Sequence, residues 1–139
     1  MFHTFKKIFY STILLAVFFG ALLVYVPFVN AAVLSFSPPT GVFTIGSTFS
    51  VEVRVDGEGE AVNAAEGSIM FEPGELKVVN VSKEGSIFSL WTQEPAYSNN
   101  EDKIIFAGGR TDGYKGGDGK VIAIQFKALR DSVTTLVFS

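Results

Sequence analysis

The side chains able to do chemistry are few and unevenly placed. The chain of 139 residues has one histidine, His3, and no cysteine. A Ser-His-acid hydrolase needs an imidazole beside its nucleophile, and no histidine follows the strongly apolar N-terminal stretch that holds His3. Zinc sites draw on several His or Cys ligands, so that chemistry is excluded as well. Carboxylates remain. The chain has 14 Asp and Glu, and a glycosidase needs only two, facing each other across a cleft. However, Glu52, Asp56, Glu58, Glu60, Glu72, Glu75 and Glu84 fall in turns or at solvent-facing strand positions, where a solvated acidic surface is the ordinary outcome. The chain is not expected to be an enzyme or to hold a cofactor.

Two short motifs lead nowhere specific. The run DGYKGGDG at 112–119 suggests calcium at first. An EF-hand loop, though, needs oxygen ligands at alternate positions and a closing Glu. Tyr114 and Gly116 occupy ligand positions and no Glu follows, so a glycine-rich connection between strands is expected. NVS at 80–82 matches a glycosylation sequon but reads better as a strand end. The aromatics Trp91, Tyr97 and Tyr114 are candidates for carbohydrate or partner contact, because planar rings stack on sugars and anchor interfaces. For Trp91 the competing reading is a plug at one end of the core.

Other features must position these groups. Hydrophobic residues make up 47% of the chain, a figure that averages two unlike parts. Residues 1–31 carry only Lys6 and Lys7 as charges, followed by an apolar run over 8–28 and small residues ending at Ala31. This is the pattern of an export signal. The run is also long enough to span a bilayer as a helix, so residues 1–31 are either a cleaved signal peptide or a retained anchor, and the membrane is met only there. Either way, the rest is expected to be secreted or displayed at the cell surface. Residues 32–139 hold nine basic and 14 acidic side chains, a net charge of −5. That balance argues against nucleic acid, which needs a basic face. The 108 residues suffice for one domain that buries about two-thirds of its chain surface, with no disulfide to help.

The dominant period after Ala32 is two. Phe49, Val51, Val53 and Val55 alternate with Ser50, Glu52, Arg54 and Asp56, which predicts a half-buried strand. Ile122, Ile124, Phe126 and Ala128 give another, and Ala65, Gly67, Ile69 and Phe71 a third. Shorter apolar runs lie at 33–36, 76–81, 86–91, 103–107 and 134–138, separated by turn signals that include Pro73 with Gly74 and Gly108 with Gly109. About eight closely spaced strands without an amphipathic helix predict an all-β antiparallel sandwich. The chain stops inside an apolar strand pattern at 136–139, so the sequence is expected to be an N-terminal piece of a longer protein.

In order and spacing these segments resemble the cohesin domain family, the receptor modules of bacterial cellulosome scaffolds. LSFSPPTG at 34–41 resembles its opening strand and GSTFSVEVRV at 46–55 its second. GSIMFEPGELKV at 67–78 resembles the segment joining its third and fourth strands. IIFAGG at 104–109 and GKVIAIQFKA at 119–128 resemble later ones. The resemblance covers about residues 33–139 and implies a jelly-roll β-sandwich. A ninth family strand, beside the first, is missing.

The resemblance further implies a non-catalytic module that binds a dockerin-bearing protein. Any calcium belongs to that partner, and the setting is an assembly linked to polysaccharide binding or degradation. The family's recognition surface is the solvent face of one sheet and includes its third, fifth and sixth strands. An acidic or amide residue lies there five positions before the aromatic of the Pro segment. Phe71 is that aromatic, so the position is Glu66, with Ala64, Ser68 and Met70 as same-face neighbours. If Ile104 and Phe106 point inward, Ile105 and Ala107 complete an apolar patch edged by Glu66. Two other functions suit a sandwich of this kind: a carbohydrate-binding module using Trp91, Tyr97 and Tyr114, or a spacer in a surface adhesin.

Overall fold

The alternating valines of 49–55 build the centre of one sheet. The computed structural model describes residues 32–139; the leader at 1–31, with its expected helix, lies outside the described residues. Eight strands follow in order: β1 (Val33–Ser37), β2 (Thr48–Asp56), β3 (Val62–Met70), β4 (Leu76–Ser82), β5 (Leu90–Ser98), β6 (Lys103–Tyr114), β7 (Gly119–Ala128) and β8 (Val137–Phe138). They form two four-stranded sheets, ordered β1-β2-β7-β4 and β5-β6-β3-β8, with every pairing antiparallel. The inner faces meet over one core that includes Val53, Val55, Ile69, Ile104, Phe106, Ile122, Ile124 and Phe126. The all-β antiparallel sandwich expected from the period-two pattern is the observed fold among the described residues.

Two irregularities shift which side chains face inward. In the β2–β7 ladder Val53 pairs with Ile122 while Arg54 pairs with Lys120. Val121 is the extra residue of a bulge, and both Val121 and Ile122 are therefore buried. In β3 the register slips between Val62 and Ala64. Val62 points inward, and beyond the slip Ala65 and Ile69 do so too.

The strand at 86–91 is misplaced by the apolar pattern. Phe88 is a buried plug, and β5 begins only at Leu90 and runs on through Thr92, Gln93, Glu94 and Pro95. It is an edge strand, where a residue without an N–H is tolerated, and its register breaks on both sides of Gln93. Gly108 and Gly109, read as a turn, lie inside the twelve-residue β6. A Cβ at Gly108 would stand 2.8 Å from the Trp91 ring, so the glycine is what lets the indole lie across β6.

One edge of the first sheet is closed by side chains of the other. The Asn99 amide Oδ1 accepts from the Val78 N–H at 2.8 Å, and its Nδ2 donates to the Val78 carbonyl at 2.9 Å. The Tyr97 hydroxyl donates to the Val79 carbonyl at 3.2 Å. Asn99 thus stands in for a neighbouring strand at the β4 bulge. Asn99→Ala is expected to lower unfolding stability by about 1–3 kcal/mol, because it leaves both Val78 groups without that partner. The loss is read from the urea midpoint at unchanged m-value.

Candidate functional site

Strand parity sets up the outer face of the β5-β6-β3-β8 sheet. Inward-pointing Ala65, Gly67 and Ile69 on β3 leave Ala64, Glu66, Ser68 and Met70 facing outward. Gly67 sits under the Phe106 ring, where a Cβ would come within 2.7 Å of Cζ. On β6, Ile104 and Phe106 are buried, so Lys103, Ile105 and Ala107 face out. The register places Glu66 opposite Ala107, Ser68 opposite Ile105, Met70 opposite Lys103 and Ala64 opposite Gly109. All six positions singled out by the family resemblance therefore share one face, on two hydrogen-bonded strands.

Neighbouring strands widen this face beyond what the apolar pattern suggested. On β5, Gln93 lies opposite Ala107, Ala96 opposite Ile105 and Leu90 opposite Gly109. On β8, Val137 pairs with Met70. Ser139 donates its N–H to the Ser68 carbonyl at 2.8 Å, and its Oγ lies 3.0 Å from Ser68 Oγ. Leu90 is 55% exposed and Val137 52% exposed, and both add apolar area to the borders of this face. The only sequence signal for the β5 contribution was the weak alternation after Leu90, which Pro95 and the polar run masked. The result is a flat surface of small and apolar side chains with Glu66 near its middle and Lys103 toward one end. Among the described residues Glu66 makes no ion pair; Glu52, Glu94, Asp112 and Asp118 do. The surface is an open sheet face of mostly small and apolar side chains carrying few charges.

The three aromatics do not form a common platform. Trp91 lies on the inner side of β5, with Phe88 edge-on at 6.2 Å and Lys83 Nζ 5.8 Å above its ring. Tyr97 bridges toward β4 as described. Tyr114 packs on the core beneath the 116–119 turn, its ring 2.6 Å from where a Cβ of Gly119 would sit. Trp91 thus occupies the plug position.

The acids of the glycine-rich segment are taken up by guanidinium groups. Arg110 donates to both Asp112 oxygens, at 2.7 and 2.6 Å, and this hydrogen bonding holds the Asp112 carboxyl below its usual range. Asp118 lies 2.9 Å from Arg54, whose own pKa is raised chiefly by its hydrogen bond to Glu52.

Three comparisons bear on this architecture. Among curated proteins, none matches the sequence. Solved structures do match by fold. The second type II cohesin module of an adaptor scaffoldin from Acetivibrio cellulolyticus superposes with a TM-score of 0.58 at 15% identity, over 82% of this chain and 78% of that one. A type II cohesin–X-dockerin complex from the same organism gives 0.54 at 19% identity, over 76% and 75%. A type I cohesin–dockerin complex from Clostridium thermocellum gives 0.56 at 12%, over 68% and 70%. At these identities the likeness is one of fold. The family model described as the cohesin domain matches residues 38–139, most of the chain, and on that match the chain belongs to the cohesin domain family.

Proposed function

We propose that the chain is a non-catalytic binding module whose outer β5-β6-β3-β8 face takes a dockerin-bearing protein. The observation that carries this reading is the face itself, with Ala64, Glu66, Ser68, Met70, Ile105 and Ala107 in one register. Family membership supports it, as do the similar folds solved in complex with dockerins. An interface of this type gains from a well-packed apolar centre and sets register and selectivity with its few charges. The setting is an extracellular or cell-surface assembly linked to polysaccharide breakdown, with residues 1–31 as the export leader. Calcium belongs to the dockerin.

The test is calorimetric titration against a panel of calcium-loaded dockerins. Glu66→Arg is expected to weaken the best binder about 10-fold or more, since charge reversal at a docked face removes an attraction and adds a repulsion. Unchanged affinity for every dockerin that binds the parent protein would remove Glu66 from the site. Binding by none of the panel would count against the reading itself.

A further inference from the structure

The outer face of the β1-β2-β7-β4 sheet, turned away from the proposed dockerin side, leaves a charge repulsion unrelieved. On β2, β7 and β4 the outward positions form cross-strand rows. Thr48, Lys127 and Lys77 make one row, and Ser50, Gln125 and Asn80 the next. All six are exposed. Farther along the same face, Arg54 and Lys120 are neutralised by Glu52 and Asp118. Lys77 and Lys127 are directly opposed register partners, with Cβ atoms about 5 Å apart. Among the described residues neither makes an ion pair, although Lys83 and Arg110 do. Like charges set opposite each other destabilise a sheet. Residues 32–139 hold 14 acidic side chains against nine basic ones, yet no acid stands in either row.

We propose that this face binds an acidic polysaccharide, a glycan chain bearing carboxylates. Lys77 and Lys127 hold one carboxylate between them, and Ser50, Gln125 and Asn80 meet the neighbouring sugar hydroxyls. A carboxylate has two acceptor oxygens and each ammonium group three donors, so the anion turns one repulsion into two attractions. Hydroxyl and amide side chains both donate and accept hydrogen bonds, as sugar hydroxyls do. Other partners suit these rows less. They hold no apolar side chain, and a protein partner needs an apolar centre to its interface. They hold no aromatic ring on which bases could stack. An anionic lipid surface is met by clusters of about four to eight Lys or Arg, and here two are free. Exposed ion pairs are individually weak, so the site is expected to hold its ligand at roughly 1 mM and to lose it as salt screens the charges. The dockerin side is the opposite sheet, so the proposal does not depend on what binds there.

The test is affinity electrophoresis of the full chain in nonionic detergent, through native gels containing polygalacturonate. Retardation is expected there and not in gels containing neutral galactan. Lys77→Glu, and separately Lys127→Glu, should weaken binding about 10-fold by charge reversal. Each should at the same time raise the urea midpoint of unfolding, because it replaces opposed like charges with a cross-strand ion pair. Lys115→Glu, in the exposed turn between β6 and β7, changes net charge equally and should bind as the parent protein does. Free passage through polygalacturonate would overturn the proposal. So would equal retardation by neutral galactan or by polyadenylate, undiminished binding by both reversed lysines, or an equal loss in Lys115→Glu, which would mean net charge alone.

Discussion

Phe106→Ala is expected to destabilise the fold by about 3–5 kcal/mol, the range for truncating a fully buried aromatic. Phe106 is 2% exposed and crosses the sheet interior over Gly67, where a Cβ would stand 2.7 Å from its ring. Domains of this kind hold only about 5–15 kcal/mol in total, so the variant gives up a large share of its stability. Trp91 is the only tryptophan and packs against the core, so its fluorescence reports unfolding in urea directly. Gly67→Ala alone should also destabilise, because the new methyl group meets the ring. In the Phe106→Ala background that clash is gone and the methyl group fills part of the void. The double variant should therefore cost less than the sum of the two singles, a coupling expected for residues in contact. A loss under about 1 kcal/mol for Phe106→Ala, or strict additivity, would refute this account of the ring.

The alternation that places Phe106 inward was legible from the sequence wherever strands were regular. In β2, β7 and the second half of β3, apolar residues at every second position face the core as the pattern requires. Alternation gives only the outward parity of Glu66, Ser68 and Met70 on one strand and of Ile105 and Ala107 on another; that the two strands share a sheet face is implied by the family resemblance, and the register shows them side by side. The pattern failed where a residue's role depends on something distant in sequence. Pro95 would interrupt an interior strand, but β5 lies at a sheet edge, where the missing N–H costs no ladder bond. Gly108 and Gly109 read as a turn, but Gly108 is small because an indole from β5 lies on it. Asn99 reads as a turn residue, and its amide closes the β4 edge 21 residues away. Each of these roles depends on a neighbour that only the fold brings near.

The outward neighbour of Phe106 should behave in the opposite way. Ile105 lies between Ser68 and Ala96 in the middle of the outer face. Ile105→Lys is expected to weaken dockerin binding at least 100-fold, about 2.7 kcal/mol, because the centre of an interface is its most fully desolvated part and carries most of its binding energy. A lysine there must either be buried without a partner or hold the two surfaces apart. Ile105 is half-buried on a central strand, so fold stability should fall by about 1 kcal/mol, well short of the effect on binding. Trp91→Ala supplies the reverse control. Its indole packs on the inner side against Phe88 and Gly108, so the variant should melt earlier yet bind as before once folded. Isothermal titration and urea unfolding on both variants give two independent axes. If Ile105→Lys bound every dockerin as tightly as the parent, the interface would not lie on the β5-β6-β3-β8 face. A loss of binding by folded Trp91→Ala would instead point to the β4–β5 flank, where Lys83 stands over the indole and pairs with Glu94.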